Sequence, residues 1–287
     1  MTRFLCAVLL GIFAAAVSSG QVVGTLRTGF AVITPLTSDS SVFSVSETFT
    51  ERFQGNLLQS SVTPSPLVTL TSMVINLDPA SGTNTGIAIV DPFDVPATVT
   101  LSLVNRQGIT ISARTIIVGG RQQRSRFVTE LFSGLPELTA SFTGQLFISS
   151  NVPVSILGVA FSGQFFTALP PPTQLRGNNI FAPAKVNSPG APDVTASLVH
   201  ATGAFDTGTP GTNFNPIAVD TALLLPQIVT GGGWASTITI ANRSLSPQSV
   251  RVDFFDSFGG PFALPIASSF PNTVIQPGGV LIFSTLR

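Results

Sequence analysis

The chain has 287 residues, 44% of them apolar and only 9% charged, with 13 basic and 13 acidic side chains in balance. Disorder needs the opposite composition and is excluded for most of the chain, and the lack of a basic excess excludes a long-range hold on nucleic acid or an anionic membrane. Val, Ile, Thr and Phe abound while Lys, Glu and Met are rare, which predicts strands.

The first 20 residues, MTRFLCAVLLGIFAAAVSSG, carry the three parts of a secretory signal peptide. Arg3 supplies the positive start, Phe4–Val17 the apolar run, and Ser18-Ser19-Gly20 the small residues before a cut at Gln21. The run is short for a membrane span. The mature chain is therefore expected to be secreted, to the cell surface, the medium or the periplasm, with no span left after cleavage. Cys6 is the only cysteine, so the chain closes no disulfide within itself.

Alternating runs follow in chain order. TGFAVIT (28–34) and DSSVFSVSETF (39–49) come first, ending in the proline-rich SVTPSP (61–66). TGIAIVD (85–91), ATVTLSLVN (97–105) and ITISARTIIV (109–118) are separated by PFDVP and RQG. VTELFSGL (128–135) reads as a single helical turn. TGQLFISS (143–150) and VSILGVAF (154–161) are separated by NVP, read as another turn, and end in TALPPP (167–172). Period-two runs of five to nine residues between Gly, Pro, Asn and Asp predict antiparallel strands in a β-sandwich or barrel. Residues 173–220 are rich in Pro, Gly, Asn and Thr and read as a linker or long loop, with room for one strand at TASLVHATG (195–203).

The runs repeat. TGIAIVDPFDVPATVTLSLVNRQG (85–108) lies over STITIANRSLSPQSVRVDFFDSFG (236–259) at a constant offset of 151, so that Ile87 meets Ile238, Asp91 meets Asn242 and Gly108 meets Gly259. A second half repeats more weakly, TGFAVIT over TGQLFIS, with Val42, Val45 and Phe49 matched to Val154, Leu157 and Phe161. The expected organisation is a leader (1–20), a β half-repeat (21–66), a complete unit (67–172), the linker (173–220) and a last half-repeat (221–287). The fold class is all-β, two related antiparallel β-sandwich-like units built from half-repeats. The lone last half would leave strand edges and an apolar face open. Residues 24–66 are expected to complete it by strand addition, within one chain or head to tail between chains.

The stretches LLLPQIVTGGGWASTITIANRS, VDFFDSFGGPFALP and PGGVLIFST resemble a β-rich repeat of secreted proteins of soil bacteria, with its Gly-Gly-Gly-Trp turn, Asn turn and Pro-Gly-Gly. The resemblance covers most of 24–172 and 221–287. Its motifs specify turns, so it implies fold and export, with no mechanism attached. Thr83–Gly86 stands where the first copy lacks the Gly-Gly-Gly-Trp turn.

Little in the chain reads as chemistry. There is no G-x-S-x-G and no phosphate loop, and His200 is the only histidine. No metal site, cofactor or catalytic group is assigned, and the protein is not expected to be an enzyme or to hydrolyse common polysaccharide or ester substrates. Asp91 with Asp94 and Asp253 with Asp256 are the paired carboxylates a glycoside hydrolase would need, but each pair reads as turn-forming. DPASGTN (78–84) has oxygen ligands without the spacing of a calcium loop. Two features remain as ligand contacts: Trp234, which could stack on a sugar, and Arg121, Arg124 and Arg126, a small patch for an acidic polysaccharide or the charged face of an edge strand. The function that fits is non-catalytic: a structural or adhesive protein mediating association with a surface, a polysaccharide, a surface protein or itself. The alternatives are a carbohydrate-binding module, a carboxylate hydrolase, or an outer-membrane barrel, for which the runs are short.

Overall fold

The computed structural model describes residues 25–36, 42–53, 56–163, 165–175, 222–262, 264 and 273–285. The strands are β1 (Arg27–Pro35), β2 (Phe43–Phe53), β3 (Asn56–Val62), β4 (Leu67–Leu77), β5 (Asn84–Val90), β6 (Ala97–Asn105), β7 (Thr110–Val118), β8 (Gln123–Phe127), β9 (Phe142–Ser162), β10 (Phe165–Ala168), β11 (Leu223–Gly231), β12 (Trp234–Asn242), β13 (Gln248–Asp256), β14 (Thr273–Ile275) and β15 (Val280–Ser284). One α-helical turn, α1 (Val128–Leu131), where the sequence predicted it, and a 3-10 turn at Pro136–Leu138 interrupt them. The chain is all-β, and every strand pairing is antiparallel. Contacts divide it into a central unit within 66–203 and a split unit made of both ends of the chain, within 1–65 and 204–287. No helix among the described residues is long and apolar enough to cross a membrane.

The central unit is built around β9, a strand of 21 residues whose two halves take different neighbours in one seven-stranded sheet. Its first half lies between β4 and β6, with β7 beyond. Its second half lies between β5 and β10, with β8 beyond. Ile75, Leu101, Leu146, Ile148, Ile89 and Ile156 fill the space between, each 0–1% exposed. Asn151-Val152-Pro153, expected as a turn, is the bend where β9 changes neighbours. Val154 still pairs with Val68, but Ser149 pairs with Leu70, so β9 bulges by several residues against β4. The Asn151 carboxamide oxygen takes the Thr98 N–H at 2.6 Å. Pro153, with no N–H to offer a ladder, sits where a bulge can hold it.

The split unit repeats this plan with its strands divided along the chain. β1 lies between β11 and β13, and β2 between β12 and β3. β11 and β12 meet only beside their turn and then part. Beyond the turn β12 takes β15 as its neighbour, and β13 takes β14. Ala31, Ile33, Val45, Leu225, Ile238 and Ile240 pack between the two layers. β1 and β2 thus stand where the two halves of β9 stand, β11–β15 where β4–β8 stand, and β3 where β10 stands.

The register agrees residue for residue in the first half. Val99–Ser150 through Asn105–Gly144 in the central unit is matched by Val250–Pro35 through Asp256–Gly29 in the split unit. The second half differs by one residue from the sequence alignment. Ile156, opposite Ile89, corresponds to Val45, opposite Ile240, and Gly158 corresponds to Glu47. The two phenylalanines drew the sequence alignment to the wrong register, which would have turned Val45 out of the core.

The Thr-Gly that opens both second halves has a physical reason. A Cβ on Gly29 would lie 2.0 Å from the Phe255 carbonyl oxygen, and one on Gly144 would lie 2.1 Å from that of Val104. Both oxygens belong to paired strands and have no room to retreat. Gly144→Ala should therefore cost the central unit about 2–4 kcal/mol. Urea titration checks it, and an unchanged midpoint would remove this explanation of the motif.

The linker does not begin at 173. The Thr71 hydroxyl donates to the Thr173 carbonyl, the Gln174 carboxamide oxygen takes the Thr69 N–H, and the Leu175 N–H donates to Leu70. The rest of the predicted linker, with the candidate strand 195–203 and His200, lies outside the described residues, as do the leader, Gly24 and Arg287.

Candidate binding surface

The residues singled out as chemical are occupied by structure. Trp234 begins β12, after a turn in which Gly231, Gly232 and Gly233 all have positive φ. Only 5% of it is exposed, so its indole offers no open face for a sugar. Arg121, in the turn before β8, has φ 56° and pairs with Asp94 at 2.5 Å. Arg124 is exposed and Arg126 half-buried, on one side of β8, which ends the sheet order of its unit. The four are not brought together: Trp234 belongs to the split unit and the arginines to the central one.

The carboxylate pairs divide in the same way. Both oxygens of buried Asp91 accept backbone N–H groups, from Phe93 and Ala97 at 2.9 Å. Burial pushes this carboxyl up to about 7, against the pull of those two bonds. Its counterpart Asn242 does the same work with an amide, accepting from Ser244 N–H and donating to the Ser246 and Ile275 carbonyls. Asp253 pairs with Arg251 at 2.7 Å, while Asp256 accepts the Phe258 and Gly260 N–H groups of the following turn. Three apart on a strand, they point to opposite faces. Asp78 accepts from Ala80, Ser81 and Ser141, which lower its pKa and use the oxygens a calcium ion would need. Among the described residues no three His, Cys, Asp or Glu gather in a way that could hold a metal ion.

The feature sequence reasoning missed is a surface. In the split unit β3, β2, β12 and β15 lie side by side. Their inner positions face the core, and the outer positions alternate with them. The outer row on β2 is Ser44, Ser46 and Thr48; on β12 it is Thr237, Thr239 and Ala241; on β15 it is Val280, Ile282 and Ser284. Ladder pairing lines them up across the sheet. Thr48 stands beside Thr237, which stands beside Ser284; Ser46 stands beside Thr239 and Ile282; Ser44 stands beside Ala241 and Val280. Hydroxyls bridge neighbouring strands, Thr237 to Ser284 at 2.6 Å and Thr48 to Ser61 of β3 at 2.9 Å. These three rows hold no charged side chain. The signal was present as S-x-S-x-T and T-x-T, the polar half of the alternation that marked the strands.

Beneath this face, on its inner side, lies Glu47. It is fully buried between Ile238 and Val62, and neither carboxylate oxygen has a hydrogen-bond partner. Burial raises its pKa well above the ordinary carboxylate value, and the nearby Ser236 hydroxyl only partly opposes this. Glu51, on the same side of β2, is pushed up to about 7 by burial. The fold does not require the acid, since its place in the central unit is taken by Gly158.

No family model matches the chain, and no curated protein matches it. Among solved structures, a chain from the electron cryo-microscopy of a Cowpea Mosaic Virus empty virus-like particle is similar over 57% of this chain and 91% of its own. At 9% identity and a TM-score of 0.17, that likeness carries no argument about this protein.

Proposed function

We propose that the protein is an exported, non-catalytic structural or adhesive module that holds an uncharged partner against the outer face of β2, β12 and β15. The observation that carries this reading is the face itself: three hydroxyl and aliphatic rows without one charge. Such a surface is cheap to dehydrate, because no ion has to leave water, and its hydroxyls can trade water for the hydroxyls or amides of a partner. A neutral polysaccharide or an uncharged protein surface fits that chemistry.

Retention on particles of insoluble neutral polysaccharide and on washed cells tests the reading. The double variant Ser44→Arg/Ser46→Arg puts two cations on the β2 row of the face, at outward positions the core does not feel. Retention should fall at least about fivefold, which corresponds to roughly 1 kcal/mol. Retention equal to that of the parent on every surface tried would rule this face out.

A further inference from the structure

The outer face ends at β15, and that border is open. β15 is bonded to β12 through alternate residues: the Thr285 N–H donates to Ser236 and the Asn242 N–H to Gly279. Phe283 and Leu281 continue that series, opposite Ile238 and Ile240. The N–H and C=O groups of Val280, Ile282 and Ser284 therefore point away from the sheet, and among the described residues nothing pairs with them. Their side chains are uncovered too, Val280 54% and Ile282 61% exposed.

We propose that this edge is a self-association site, at which β15 of one chain pairs antiparallel with β15 of a second copy about a two-fold axis at Ile282. The inference rests on the adhesive reading above and names a partner for it. An open ladder is completed best by another strand. The strand that fits is its own copy, because the two-fold places Ile282 beside Ile282 and Val280 beside Ser284 with every backbone group matched. No charge opposes the approach: Val280–Ser284 contains none, nor does the turn before it. The pairing also joins the two outer faces into one sheet and shields Ile282 and Val280 from water.

The equivalent strand of the central unit shows what a closed edge looks like. There Gln123 and Ser125 replace Val280 and Ile282 at the outward positions, and both are buried. A self-pair about Ser125 would set Arg124 opposite Arg126, cation against cation. β15 lacks both protections. A five-residue strand buries little area, so the association is expected to be weak and concentration-dependent.

Sedimentation velocity across a range of protein concentrations should show a monomer–dimer equilibrium for the full chain. Ile282→Lys, which sets two ammonium groups face to face at the axis, should weaken it at least tenfold without moving the thermal midpoint. In a Cys6→Ser background, Ile282→Cys should form a disulfide dimer under mild oxidation, while Val74→Cys, at a 58% exposed position of the central unit, should not. A chain that stays monomeric at every concentration, a dimer that Ile282→Lys leaves intact, or equal cross-linking of the two cysteine variants would each overturn the proposal. Ser44→Arg/Ser46→Arg, two strands in from the open edge, should lower retention on polysaccharide and leave the dimer intact, which separates this site from the wider face.

Discussion

The thermal midpoint should be higher at pH 5 than at pH 8, by about 4–8 °C. Many proteins held by paired carboxylates lose stability in acid, and the direction here is opposite. Glu47, Glu51 and Asp91 all have folded-state pKa values raised by burial. Between the ordinary carboxylate value of about 4 and the raised value, the folded chain holds more protons than the unfolded one, so stability falls as pH rises. The loss runs to about pH 7 for Glu51 and Asp91 and continues higher for Glu47. Glu47 should dominate, since it is fully buried and neither of its oxygens finds a partner. Glu51 counts for less because solvent reaches it. Glu47→Leu should raise stability at pH 8 by about 2 kcal/mol and flatten the pH slope, because a buried acid without partners is replaced by a side chain that suits Ile238 and Val62. Glu47→Gln should flatten the slope with a smaller gain, since an amide still has to be buried. Calorimetry from pH 4 to 9 reads all three proteins. A midpoint that climbs between pH 5 and 8, or a Glu47→Leu chain less stable than the parent at pH 8, would show that these carboxyls are not what the pH dependence reports.

Removal of residues 25–65 should leave the C-terminal strands without a fold while the central unit stays intact. β11 and β13 share β1 as their common neighbour, and β12 has β2 along its whole length. Deleting β1–β3 strips both ladders and takes Ala31, Ile33, Phe43 and Val45 out of the core. Each lost large aliphatic or aromatic side chain is worth about 2–5 kcal/mol, far more in total than a unit of this size has to spare. Insolubility, or loss of half the β signal with one melting transition left, is the expected outcome. The complementary variant should fold. Thr28 pairs with Val229, and the Thr285 hydroxyl donates to the same Val229 carbonyl at 3.1 Å, so the first and last strands reach one point of the unit. A chain opened between Ser65 and Pro66, with Thr285 joined to Thr25 by a short flexible linker, keeps every pairing described. A truncated chain in which the C-terminal strands keep a cooperative melting transition of their own would refute the division of the split unit.

Period-two alternation was enough to determine that the chain is all-β, because strands leave that mark wherever one face is buried and the other wet. The constant offset of 151 residues between 85–108 and 236–259 likewise made the two units recognisable as related. The glycine turns were legible for the same local reason: Gly108, Gly231 and Gly259 sit at positive φ, which few other residues adopt. Whether Asn151-Val152-Pro153 ends a strand or bends it was not local information. A turn and a bulge within one strand use the same residues, and only the pairing of Val68 with Val154 beside Leu70 with Ser149 decides between them. The one-residue slip that sets Glu47 in the place of Gly158 was decided in the same way, by which side chains must share a core with Ile238 and Ile240. In the sequence, Trp234 and three arginines stand out as the groups able to do chemistry. Trp234 is buried by packing, and Arg121 is held by Asp94. The uncharged face became a surface only when β2, from one end of the chain, was laid beside β12 and β15 from the other. Distance along the chain hides such a neighbourhood, because hydrogen bonds between strands carry no sequence mark of which strand they join.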